Sequence, residues 1–278
     1  MIDILSTSEL LSLISVLSIA AVVSGFIAGL LGVGGGIIMV PALYYAFTAM
    51  NFDIATRMHL SLGTSLAIII PTSIMSARTH MKFNSVDFYL IKSFGIFMIL
   101  GVVMGTALAT NLKTPPLILF FAFFASIIGL FFIFFREKIV QNKKSISKIF
   151  KIVIGVALGF FSVPLGIGAG SLGVPAMRLF GYPIKTAIGT AAALGFLVSF
   201  FGACSMALSG FLFDIVKAPL SLGYVNLPGF LIFVPITMLM APVGARLVHS
   251  IDKNILSKIF GIFLLIIAVR SFFEYLKF

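Results

Sequence analysis

Ten apolar segments follow one another along this chain, and they decide its class. They cover residues 10–31, 37–50, 60–76, 88–110, 116–135, 149–165, 171–180, 186–209, 227–248 and 255–275. A helix that crosses a bilayer needs about 20 predominantly apolar residues. Continuous apolarity without strict alternation predicts helices and argues against a β-barrel. The second, sixth and seventh segments are too short to cross as straight helices. The expected fold is therefore all-α, a polytopic integral membrane protein with about eight to ten transmembrane or re-entrant helices.

Composition agrees. The chain is 60% hydrophobic and only 10% charged, where soluble domains carry roughly 25% charged residues. This excludes a soluble enzyme and a disordered chain. A single cysteine, Cys204, permits no intrachain disulfide and no cysteine metal cluster. Its apolar helical surroundings predict a small packing residue. The first apolar run lacks a basic region ahead of it and continues into more apolar sequence, so it reads as a retained membrane segment.

The net charge of +11 sits between the apolar runs, where membrane proteins keep cytoplasmic Lys and Arg, and nucleic acid is not an expected partner. The basic stretch from Arg136 to Lys151 divides the chain nearly in half. Its charge predicts a cytoplasmic loop, which also places Arg78, Lys82, Lys185, Arg246, Lys253 and Lys258 inside. Arg57, Lys113, Lys217 and Lys277 then face outward, with both termini. The expected organisation is a first membrane repeat over 1–135, a basic linker over 136–148 and a second repeat over 149–278.

The halves resemble each other. The stretch from Gly32 to Ala42 aligns with that from Gly166 to Ala176, with six of eleven positions identical. Gly63-Thr64-Ser65 aligns with Gly189-Thr190-Ala191, and Gly105 to Leu108 with Gly244 to Leu247. Five segments per half is an odd number. The halves are thus expected to be inverted-topology repeats, an arrangement shared by many secondary transporters.

Each half carries a glycine-rich break followed by a short segment, in matching positions, which is the best sequence pointer to a transporter site. Backbone outside a helix persists at membrane depth only when buried or lining a watery cavity. A helix beginning at Gly36 or Gly170 aims N–H groups and the positive end of its dipole into that space, which favours an anion. The expected binding backbone is Gly34, Gly35, Gly36 and Ile37 in the first half. In the second it is Gly168, Ala169, Gly170, Ser171 and Leu172. Thr64, Ser65 and Thr190 supply hydroxyls, with a bond back to their own helix as the competing reading. Pro41 and Pro175 are expected to kink the short helices. Gly25 and Gly29, Gly101 and Gly105, and Gly155 and Gly159 have the spacing of close helix packing. Neither cluster is a nucleotide loop, since no Gly-Lys-Ser/Thr follows.

Ionisable residues near the segments are few. His59 and His80 flank the third segment and are expected at the interface, with proton carriage as the alternative. Arg78 and Arg246 are further candidates for a charge role, or for anchoring a helix end. The aspartates fall in expected loops. No metal spacing, nucleophile elbow or paired carboxylates occur within a segment, so no enzyme activity, metal or cofactor is expected.

The run from Gly29 through Gly36 to Pro41, the following Gly63 to Ala67, the run from Gly166 to Pro175, and Ala241 to Leu247 resemble the TauE/SafE sulfite exporter family. The resemblance extends from about Ser24 to Tyr275. It implies an inner-membrane transporter of small anions, often sulfite, a sulfonate such as sulfoacetate, or a related organic acid. The expected function is alternating-access secondary transport. The alternatives are a passive anion channel and a membrane component that only docks a partner. Expected partners are the anion, a coupling ion (proton or sodium) and membrane lipids, with a homodimer as the assembly considered.

Overall fold

A computed structural model describes residues 7–134, 147–212, 218–247 and 253–278. Among the described residues, ten helices occupy the ten expected segments. They are α1 (Thr7–Leu31), α2 (Gly36–Ala49), α3 (Ile54–Lys82), α4 (Phe88–Asn111), α5 (Thr114–Phe134), α6 (Lys148–Leu165), α7 (Gly170–Leu179), α8 (Ile184–Leu212), α9 (Leu227–Leu247) and α10 (Lys253–Tyr275). Among the described residues, α1, α3, α4, α5, α8 and α9 are each long and apolar enough to cross a membrane. The protein is a multi-pass, all-α membrane protein. Most of the basic linker expected over 136–148 lies outside the described residues, and so does Lys217.

Local chemistry sets the helix starts. The Asp53 carboxylate accepts from the Ala55 amide at 2.9 Å and opens α3. Asp87 accepts from the amides of Tyr89 and Leu90 and opens α4. Ser147 accepts from the Phe150 amide and opens α6. Each satisfies N–H groups that have no partner within the helix. The connection from α8 to α9 holds an element with no sequence signal in the apolar pattern. It is a two-stranded antiparallel hairpin of β1 (Ser221–Leu222) and β2 (Val225–Asn226), pairing Ser221 with Asn226.

The helices pack in pairs that exchange when the halves are exchanged. α1 lies on α9 and α6 lies on α4; α5 lies on α10 and α3 on α8. Glycine makes the close approaches. A Cβ added to Gly25 would stand 2.7 Å from the Thr237 Cα, and one on Gly29 would collide with the Ala241 carbonyl. Gly101 and Gly105 meet the Val156 and Phe160 carbonyls of α6, while Gly159 meets the Met98 carbonyl of α4. Gly129 of α5 and Gly261 of α10 face one another. Backbones this close gain the van der Waals packing that drives association where lipid is as apolar as Leu.

At the centre stands α3, with most of its side chains buried. Its Thr72 and the α9 residue Thr237, both fully buried, share a hydroxyl hydrogen bond of 2.8 Å. Cys204, expected as a packing residue, is exposed.

Candidate functional site

The first break is built from left-handed glycines. Gly32, Gly34 and Gly35 have φ of 66°, 79° and 76°, a region costly for residues with a Cβ. They turn the chain between α1 and α2 within four residues. The Gly35 carbonyl then accepts from the Ile38 and Met39 amides and starts α2. The second break needs less. Only Gly166 is left-handed, with φ of 61°, and Ala169 sits at φ −58°. This explains why alanine stands where the first half has Gly35. Both short helices begin where expected, at Gly36 and Gly170.

The two breaks cross. A Cβ on Gly34 would stand 3.3 Å from the Gly168 Cα, and one on Gly168 would stand 3.6 Å from the Gly34 Cα. Gly36 lies against the Gly166 carbonyl, and Gly170 against the Gly32 carbonyl. The start of each short helix is therefore set against the break of the other half. The leading N–H groups of a helix have no acceptor within it, and both dipoles end here in positive potential.

Around the crossing lies a tight cleft lined by Gly32, Gly34, Ser73, Ser76 and Gly195, with no room for a water-sized sphere. The Ser76 hydroxyl is buried there without a hydrogen-bond partner. A Cβ on Gly168 would meet Ile69 at 3.4 Å and Gly195 at 3.6 Å. Ser73, Ser76, Ile69 and Gly195 went unread in the sequence. A signal existed for two of them. Ser65, Thr72, Ser73 and Ser76 form a polar stripe along the apolar middle of α3.

The other expected site residues divide. Ser65 reaches the crossing region, and its hydroxyl donates to the Gly166 carbonyl at 2.7 Å. Thr64 and Thr190 bond neither back to their own helices nor to the breaks. Thr64 accepts from the Asn226 amide at 2.8 Å, and Thr190 accepts from the Asp87 amide at 2.9 Å. In each half, the threonine after the glycine holds the loop that leads into α9 or α4. The preceding Gly63 and Gly189 lie against the Tyr224 and Ser85 carbonyls of those same loops. Ser171, Leu172 and Pro175 line a cavity of about 550 Å³ between α5, α6 and α7, apolar apart from the serine. The Ser171 hydroxyl is buried there without a partner. Pro41 lies inside α2, on the wall of a second cavity.

The histidines, expected at the interface, are buried. His59 pairs its Nε2 with the Leu112 carbonyl at 2.9 Å and stacks on Tyr224, with ring centres 5.1 Å apart. His80 pairs its Nε2 with the Gly29 carbonyl at 3.0 Å. The reason is the position of α3. Its ends are covered by the α4–α5 turn, by the hairpin and by α1. A ring nitrogen facing a carbonyl must carry its proton to bond. Arg78 and Arg246 are exposed. Arg57 is buried, and its Nη2 donates to the Phe52 carbonyl at 2.6 Å. Among the described residues, no group of three or more His, Cys, Asp or Glu side chains is placed to hold a metal ion.

Comparison with known proteins gives one consistent result. The profile of the sulfite exporter TauE/SafE family matches residues 17–271. A probable membrane transporter protein of Haemophilus influenzae is 29% identical over 90% of this chain and 95% of its own length. The probable membrane transporter protein YunE of Bacillus subtilis is 28% identical over 93% and 97%. A probable membrane transporter protein of Methanocaldococcus jannaschii is 27% identical over 91% and 95%. No solved structure matches the chain.

Proposed function

We propose, for a multi-pass membrane transporter that belongs to the sulfite exporter TauE/SafE family, that the cargo is a small oxyanion bound where the two glycine breaks cross. The substrate class is sulfite, a sulfonate such as sulfoacetate, or a related small organic anion. The single observation that carries this reading is the contact of Gly34 with Gly168, with the starts of α2 and α7 set against it. Two helix starts supply amide donors and positive dipole ends without a cationic side chain. The buried Ser76 hydroxyl adds a donor with no other use. A site of this kind binds a negative charge and still lets it leave, because no fixed countercharge must be broken from it.

The chain works as a secondary transporter in the inner membrane. The two halves, as repeats of opposite orientation, rock about the crossing and expose it to each side in turn. The closed cleft favours this carrier over an anion channel, which needs a continuous open path. The basic linker sets the orientation, with the linker inside and both termini outside. No residue of the crossing suits covalent catalysis, and the protein acts by transport alone.

The test is a thermal-shift screen of the purified protein against sulfite, sulfoacetate, thiosulfate, sulfate and acetate. A ligand at a hundredfold excess over its Kd stabilises the folded state by about 2.7 kcal/mol. A shift with a sulfur oxyanion that is lost in Gly168→Ala supports the substrate class and the site. A shift with acetate alone removes sulfur from the function. An undiminished shift in Gly168→Ala rejects the site.

A further inference from the structure

A cavity of about 280 Å³ opens between α2, α5 and α10, away from the glycine crossing. Its floor is apolar, formed by Met58, Ile118, Phe121 and Ile267. Its rim carries Tyr44, Arg270, Glu274 and Lys277. The Tyr44 hydroxyl is buried and has no hydrogen-bond partner. The Arg57 guanidinium lies 5.9 Å from the centre of the Tyr44 ring, and its Nε is also buried without a partner. Leaving such groups unpaired in a low-dielectric setting is costly, more so for a charged one.

The charge at the rim is unbalanced. Glu274 is the one carboxylate on the wall, and it is already engaged by Lys277 at 2.7 Å. Arg270 remains on the wall, with Arg57 behind Tyr44. Arg270 covers the exposed Tyr45 ring at 5.0 Å. Beside them the C-terminal end of α10 and the residue after it present Phe272, Phe273 and Leu276, each exposed, to the surroundings of the bundle. The cavity lies by the C-terminal end of α10 and the turn from α2 to α3, where aromatic and basic side chains mark the membrane–water boundary. The apolar cavity beside the other short helix, α7, is lined by no charged residue. The charge therefore belongs to this cavity and is not a general feature of the space beside a short helix.

We propose that this cavity binds an amphipathic oxyanion, its head against Tyr44, Arg270 and Lys277 and its apolar chain on Ile118, Phe121 and Ile267. The head satisfies the Tyr44 hydroxyl, and the Arg57 guanidinium beside the Tyr44 ring adds positive charge behind it. A phosphate joined to an apolar chain has the required form. The bilayer supplies it as an anionic phospholipid, and the aqueous phase as a free alkyl phosphate. The site does not depend on the transport reading, since no residue of the glycine crossing takes part.

Native mass spectrometry of the delipidated protein tests it, with phosphatidylglycerol, phosphatidylcholine, hexyl phosphate and inorganic phosphate as probes. The net excess of one rim cation predicts roughly fivefold preference for phosphatidylglycerol over phosphatidylcholine. The preference falls to near parity in Arg270→Gln/Lys277→Gln. Tyr44→Phe weakens retention several-fold without lowering the melting temperature of the lipid-free protein, which separates loss of binding from loss of fold. Binding of hexyl phosphate in place of the lipid assigns the source to solution and keeps the cavity. Equal retention of both lipids in wild type, or retention unchanged in both variants, overturns the proposal. So does inorganic phosphate binding as tightly as hexyl phosphate.

Discussion

Gly34 and Gly168 touch across the centre of the protein, so that a Cβ on the first would stand 3.3 Å from the Cα of the second. One lies just before α2 and the other just before α7. Gly34 is held to glycine here by its φ of 79° and by this tight contact, while Gly168 has room for a Cβ 3.6 Å from the Gly34 Cα. The same contact brings the starts of the two short helices to one place, which turns a packing feature into an anion site.

Glycines of one short helix should differ sharply in tolerance. A Cβ on Gly170 collides with the Gly32 carbonyl, whereas one on Gly173 meets nothing closer than 3.7 Å. Gly173→Ala is expected to stabilise the protein by about 0.5–1 kcal/mol and to leave transport intact. Gly170→Ala is expected to abolish transport. Melting temperature and anion flux of the two variants check this.

Thr64 and Thr190 should behave alike, because each accepts from a loop amide of the other half. Replacing Thr64 by Val strands the buried Asn226 N–H and costs about 1–3 kcal/mol, while replacing Thr190 strands the part-buried Asp87 N–H and costs less. Serine at either position should recover most of that loss. Denaturant unfolding of the four variants would show it, and a Val variant as stable as wild type would remove the structural role.

The hydroxyl pair of Thr72 and Thr237 joins α3 to α9. Interhelical hydrogen bonds in membranes average about 0.6 kcal/mol. A double-mutant cycle to Val should give a coupling of that order. Each hydroxyl also has a carbonyl of its own helix within reach to donate to when the other is removed, so either single variant should still fold.

Ser76 offers a separation of stability from binding. Its buried hydroxyl has no partner, so Ser76→Ala should leave the melting temperature unchanged or raise it. A hydrogen bond to a charged group contributes about 1.5–3 kcal/mol, so anion affinity should fall tenfold or more. Titration of the anion against both proteins reads the two effects independently.

Much of this was legible in the sequence. Hydropathy alone places all ten helices, because the requirement to bury backbone polar groups in lipid admits few alternatives. The duplicated glycines place both helix starts, since left-handed backbone at Gly32, Gly34 and Gly35 has no other inexpensive residue. What hydropathy does not carry is the third dimension. His59 and His80 read as interfacial because they lie near the ends of an apolar run, yet neighbours cover α3 to its ends. Thr64 and Thr190 bond to loops more than a hundred residues away, which no local pattern encodes. The hairpin at Ser221–Asn226 is too short to leave a periodic signal.

The most direct test of the anion site uses Gly168→Ala, because its Cβ would lie 3.4 Å or more from every neighbour and its backbone is not left-handed. The substitution fits the fold and fills only the space between the breaks. Exchange of radiolabelled sulfite or sulfoacetate should be measured in proteoliposomes holding equal amounts of the two proteins. The account predicts saturable exchange by the wild type and loss of it by a Gly168→Ala protein of unchanged melting temperature. Equal exchange by both proteins would contradict it.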